Sequence, residues 1–213
     1  MTRKEKIIHQ SLRLFSLNGF LSTSLNDILD AAQISKGGFF NYFKSKEDLF
    51  HAVLSEARKI WREKNLYRLD QIDDPIAKVI RILENYRDRY LKDTKNFPGG
   101  CLFITLSVEL DDLRPHLAIE LNEGFVRFKA MIKRFLDQAK KSGGLRDGGS
   151  TAEITEMIFS GMLGASVMFG TNKSQKNLHG TIRALISYLE KLSKSHIGRK
   201  RQIGKYASLL SSQ

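Results

Sequence analysis

Two helix starts, Ser35 and Ser45, constrain this chain more than any other feature. Serine favours the N-cap because its hydroxyl accepts a backbone N–H that the first helical turn leaves orphaned. A helix begun at Ser35 must end before Ser45, so it is very short. Phe39 and Phe43, four apart, give it an aromatic inner face. Lys36, Gly37, Phe40 and Asn41 face outward, with Gly38 and Tyr42 beside them. Upstream, Ser24 and Asp27 form a capping-box pattern. They precede Leu25, Ile28, Leu29 and Ala32, which share one helical stripe, and Gln33-Ile34 is left as the turn. Two short helices joined by a tight turn, the second basic and glycine-bearing, suit insertion into a DNA major groove.

The rest of the chain also reads as helix, giving an all-α protein of about nine helices. The first runs from about Thr2 to Leu17, with Ile7, Ile8, Ser11, Leu14 and Phe15 on one face, and Asn18-Gly19 ends it. Ser45, with Asp48 at the third position, starts a fourth helix that Phe50, Val53, Leu54, Ala57 and Trp61 carry to about Leu69. Pro75 opens a fifth, and Phe97-Pro98-Gly99-Gly100 is the clearest loop. A helix follows from Cys101 to about Asp111. Pro115 opens a long one through Leu117, Leu121, Phe125, Phe128, Ile132, Phe135 and Ala139, ended by Ser142-Gly143-Gly144. Two more fit 152–170 and 176–194.

Charge supports a polyanionic partner but does not locate it. The 213 residues carry a formal net charge of +12. Residues 1–50 hold 7 basic and 5 acidic side chains, net +2, whereas residues 151–213 hold 9 and 3, net +6. The single cysteine, Cys101, excludes an intrachain disulfide and fits a reducing cytoplasm. The polar N-terminus lacks the apolar core of a signal peptide. The most apolar stretch, Met157 to Gly170, falls short of the roughly 20 residues that span a bilayer, so no membrane partner is expected.

Residues 7–54 resemble the N-terminal domain of the TetR/AcrR family of bacterial repressors. The resemblance rests on Ile8, Leu14-Phe15, Gly19-Phe20, Thr23-Ser24-Leu25, Asp27-Ile28, Ala31-Ala32 and Ser35-Lys36-Gly37. Beyond these it continues through Phe43, Ser45-Lys46-Glu47, Leu49 and Val53-Leu54, in unbroken register. Two positions depart from the family. Gln33 stands where a turn glycine is usual, at a cost if the backbone there is left-handed. Phe40 stands where tyrosine is common, so a phenolic hydroxyl for phosphate is missing, although the ring can still meet a thymine methyl.

The resemblance implies a helix-turn-helix DNA-binding domain over 1–45, a helical ligand-binding and dimerisation domain over 46–197, and a basic tail over 198–213 whose composition permits disorder. It implies a cytoplasmic, bacterial, nucleoid-associated homodimer on a palindromic double-stranded operator, released by a small-molecule effector and needing no cofactor.

Ser24, Ser35, Lys36, Gly37, Gly38, Phe40, Asn41, Tyr42 and Lys46 are the expected DNA contacts. Capping alone explains the serines, and Lys36 and Asn41 also suit a solvated surface. The two glycines do not suit a helix, where each costs about 1 kcal/mol against alanine; close approach of backbone to DNA would justify them. Trp61, Phe103, Phe125, Phe128 and Met162 are expected around an apolar or aromatic effector, though core packing would place them similarly. Gly161, Gly164 and Ala165 have the small-residue spacing of a close helix contact and are assigned to a dimer interface.

Cys101 reads first as a buried structural residue. The sharper alternative is a redox or electrophile sensor, since a thiol near a helix N-terminus can have a lowered pKa. Glu109, Asp112 and His116 have metal-like spacing, but Pro115 interrupts them, and no metal site is assigned. An enzyme in a helical fold is the alternative from another class; no Ser/His/Asp set, phosphate-cradling loop or CxxC supports it. Nonspecific nucleic-acid packaging is a third reading, resting on charge alone.

Overall fold

The computed structural model describes residues 1–146 and 149–194; the tail expected over 198–213 lies outside them. Among the described residues there are nine α-helices and no β-strand: α1 (Arg3–Asn18), α2 (Leu25–Ala32), α3 (Lys36–Phe40), α4 (Lys46–Asn65), α5 (Pro75–Asn85), α6 (Leu102–Leu110), α7 (Pro115–Lys141), α8 (Thr151–Asn172) and α9 (Gln175–Leu192).

Local chemistry sets most starts. Thr2 and Glu5 close a capping box on α1, and Ser24 and Asp27 close one on α2. The hydroxyls of Ser35 and Ser45 accept the N–H groups of Gly38 and Asp48 at 3.1 and 3.0 Å. Asp74 caps α5 ahead of Pro75. The Ser24 bond holds the Asp27 carboxyl below its usual range.

Two ends differ from expectation. α4 stops at Asn65, not near Leu69. Asn65 Nδ2 turns back onto the Trp61 carbonyl at 3.0 Å, and Arg68 takes a left-handed φ of 57°. α5 runs into one turn of π-helix, Tyr86–Tyr90, where the Leu91 N–H reaches back five residues to the Tyr86 carbonyl at 3.0 Å.

Phe15, Phe20 and Phe50 stack edge-to-face at 5.4 and 5.1 Å. They join α1, the α1–α2 turn and α4 around buried Ile7, Leu12, Ile28, Phe39 and Leu49. The larger unit surrounds a second apolar centre with α5, α7, α8 and α9, where Val79, Leu83, Leu136, Ile158 and Ile182 are buried. α8 spans 22 residues, longer than its most apolar stretch suggested, and is long and apolar enough to cross a membrane by length and composition. In this fold Ile154, Ile158, Met162 and Phe169 are buried, so one face of α8 is core.

Candidate DNA interface and ligand cavity

α3 is held at both ends. Its start is tied by Ser35, and Phe39 and Phe43 are inserted into the core at 0 and 3 % exposure. Ser24, Ser35, Lys36, Gly37, Phe40, Asn41 and Tyr42 are exposed, and Gly38 is half-buried. Phe40 and Tyr42 are large apolar surfaces left open to water. A Cβ on Gly37 would meet nothing within 4 Å, so no contact inside the chain requires glycine there. Gly38 differs: a Cβ would press on Ser35 Oγ at 3.3 Å. The turn before α3 runs through Gln33 at φ 55°, ψ 53°, the left-handed conformation that disfavours side chains. Gln33 Oε1 accepts from Lys6 Nζ at 3.0 Å.

Lys46 is only partly open to a phosphate. Its ammonium does not project as a free cation. It donates to the carbonyls of Phe20 and Thr23 at 2.9 Å each and lies 4.3 Å from the Phe20 ring centroid. Burial pulls its pKa down. Lys46 ties the start of α4 to the α1–α2 turn, and at most one of its three N–H groups remains for a phosphate.

Glu109, which sequence reasoning considered only for metal spacing, faces the same turn. Its carboxylate accepts the N–H groups of Phe20 and Leu21 at 2.6 and 2.8 Å. Gly19 makes the approach possible, since a Cβ there would fall 2.5 Å from Glu109 Oε1. Asp112 is not drawn into a cluster, and His116 turns to Glu47 at 3.4 Å. Among the described residues no group of acidic, His and Cys side chains could hold a metal.

Trp61, Phe103, Phe125, Phe128 and Met162 line one cavity of about 370 Å³, together with Cys101 and Tyr86. Trp61 meets Phe128 edge-on at 4.8 Å, and Phe159, whose place on α8 suits a pocket wall or core packing equally, lines the cavity too and meets Phe125 at 5.4 Å. Arg58, Arg62 and Arg127 also line the cavity; nothing in their spacing separates them from a solvated helix face.

Cys101 sits just before α6 with no side-chain cap bond, and its thiol is buried 3.5 Å from the Tyr90 hydroxyl. Burial pushes the thiol pKa up, opposite to the lowered pKa on which the sensor alternative rests. The buried Tyr86 and Tyr90 hydroxyls are likewise pushed well above their ordinary range.

The three small residues assigned to a dimer interface have different surroundings within one chain. A Cβ on Gly161 would meet Leu185 Cδ2 at 2.9 Å, so this glycine faces α9 of its own chain. Ala165 is buried at 2 % exposure. Gly164 is exposed, with nothing within 4 Å of a Cβ.

Residues 7–53 match the family model described as bacterial regulatory proteins, tetR family, and residues 75–185 match the tetracyclin repressor-like C-terminal domain. The chain belongs to the TetR family. It is thus a DNA-binding transcriptional regulator, in a family made of such regulators. It is 24% identical over 188 residues to the HTH-type transcriptional repressor NemR of Escherichia coli (strain K12), covering 84% of this chain and 89% of that protein. Its fold is similar to a TetR transcriptional regulator from Chloroflexus aurantiacus, with TM-score 0.83 and 23% identity over 90% of this chain and 96% of that one. It is also similar to AibR, solved in complex with isovaleryl coenzyme A and operator DNA, with TM-score 0.71 and 16% identity over 88% and 97%.

Proposed function

We propose that this TetR-family chain is a homodimeric repressor acting in the bacterial cytoplasm. Two copies of α3 engage successive major grooves of a palindromic operator. Lys36, Phe40, Asn41 and Tyr42 supply side-chain contacts, and Gly37 supplies the backbone's close approach. Ser24 supports this at α2: its capping box leaves the Leu25 and Asn26 N–H groups, which no carbonyl of the helix can take, for a phosphate. An apolar or aromatic small molecule in the cavity among α4, α6, α7 and α8 releases the DNA.

The observation that carries this reading is the double role of α6. Phe103 and the adjoining Cys101 wall the cavity, while Glu109, near the other end of the helix, holds the turn between α1 and α2. A ligand that shifts α6 acts on the DNA-reading unit through two hydrogen bonds. It changes operator affinity only by its own differential affinity for the two arrangements.

The dimer is assigned to the face of α8 and α9 that leaves Met157, Gly164, Val167 and Met168 exposed, with Ala184 and Ser187 on α9 beside them in helical register. Selecting bound sequences from random DNA tests the reading. A palindrome recovered with dimer stoichiometry supports it; indiscriminate binding in excess competitor DNA would favour nonspecific packaging instead.

A further inference from the structure

The cavity is apolar in its walls but not in its charge. Three arginines line it, and no aspartate or glutamate does among the described residues. Arg58 is fixed in place from α4 to α7. Its Nη1 donates to Glu120 Oε1 at 2.8 Å and its Nη2 to the Glu120 carbonyl at 2.8 Å. That grip immobilises the guanidinium plane and leaves Nε–H buried without a partner.

The charges can be counted. Arg58 faces Glu120, which also meets His51 at 2.7 Å. Arg127 faces Glu123 at 3.3 Å. Arg62, one helical turn beyond Arg58, has no ion pair among the described residues, so the mouth carries about one uncompensated positive charge. Trp61 lies between the two α4 arginines in sequence and meets Phe128, which meets Phe159 at 6.0 Å. An aromatic wall therefore stands beside one exposed, unpaired cation and the fixed Arg58 guanidinium.

Resting on the cavity assignment above, we propose that the effector is an aromatic or arylalkyl carboxylate. Its ring packs among Trp61, Phe128 and Phe159. Its carboxylate takes the charge of Arg62 at the mouth. One unmatched cation suits a monoanion; a phosphate dianion would enter the same apolar walls with a charge left unpaired.

Titration of the full chain with 4-phenylbutyrate and its neutral isostere 4-phenylbutanamide tests this. Emission of Trp61, the single tryptophan, is followed with excitation beyond the absorbance of the phenyl ring. The acid is expected to bind about tenfold tighter than the amide. Arg62→Gln should bring the two within about twofold while leaving amide binding and the circular dichroism spectrum unchanged. Amide binding equal to or tighter than acid overturns the anion proposal and leaves the apolar-effector reading standing. A preference that survives Arg62→Gln overturns the role of Arg62. Silence of Trp61 towards both probes overturns this inference and the cavity assignment together.

Discussion

The Glu109 carboxylate receives the Phe20 N–H at 2.6 Å across 89 residues of sequence. The Leu21 N–H beside it makes the contact a two-pronged grip. Glu109→Gln keeps the shape but replaces one acceptor with a donor, so one backbone N–H loses its partner. The expected loss is about 2 kcal/mol, as for bonds to a charged group, read as a lower thermal midpoint. Operator affinity should fall and effector response should be blunted. A variant that melts with the wild type would dismiss the grip as a surface contact.

Gly37 gives a prediction of two opposite signs. With open space around its Cβ position and no left-handed φ, Gly37→Ala should stabilise the folded protein by up to about 1 kcal/mol. It should also weaken operator binding, because the new methyl group stands where the backbone meets DNA. Chemical denaturation and a gel-shift titration on the same preparation read both. Stabilised protein with undiminished affinity would remove α3 backbone approach from the interface.

The two lysines should separate. Lys36→Ala is expected to leave stability unchanged and to lower the salt slope of operator binding by about one unit if Lys36 pairs with phosphate. Lys46→Met should cost stability as well, since it forfeits two carbonyl bonds and the position over Phe20. If its one remaining donor touches no phosphate, the salt slope will not change. A Lys46→Met variant as stable as wild type would contradict the buried arrangement.

Asp93 carries an acid-sensitive tie. Burial raises its carboxyl pKa, but the bonds from Asn96 and Lys64 outweigh burial and leave it below the ordinary 3.8. A depressed folded pKa means that this stabilisation is present above about pH 4 and is lost as pH falls through the lower, folded value. Asp93→Asn should therefore lose about 1–2 kcal/mol at neutral pH, and the gap to wild type should close in strong acid. Urea unfolding at several pH values checks the convergence; a pH-independent gap would exclude the ionised pair.

Gly161 and Gly164 lie three residues apart with different tasks. Gly161→Leu should destabilise each protomer, because a whole leucine there must displace Leu185 from between α8 and α9. Gly164→Arg should leave the protomer folded and disrupt dimers if the exposed face of α8 forms the interface. Light scattering with circular dichroism distinguishes them. A dimer unaffected by Gly164→Arg would place the interface elsewhere.

What could be read from the sequence was what local chemistry determines. Ser24 with Asp27, Ser35, Ser45 with Asp48, and Asp74 with Pro75 all start helices where their side chains can cap them. Phe39 points inward from α3, and Phe43, beyond its end, follows it because the Phe43 N–H reaches back to the Phe39 carbonyl at 3.1 Å. The left-handed turn at Gln33 was legible only as a condition, through the glycine that the family usually has there. Periodicity and family resemblance together picked five side chains that share one cavity. Long-range partners were not visible. Nothing near Glu109 announces an acceptor for a turn some ninety residues away. Lys46 looks like any surface lysine until its ammonium is found over the Phe20 ring. Gly161 and Gly164 share a spacing, and only the position of Leu185 tells them apart.

Gly99 adds one consequence. A Cβ on it would overlap the Ser16 carbonyl oxygen. Its N–H donates to Ser16 Oγ at 3.0 Å, while Arg13 donates to the Lys95 carbonyl nearby. Backbone therefore meets backbone where the end of α1 touches the loop that leads into Cys101. Any side chain at Gly99 must part that seam, and with it the contact between the first helix of the DNA-reading unit and the entry to α6.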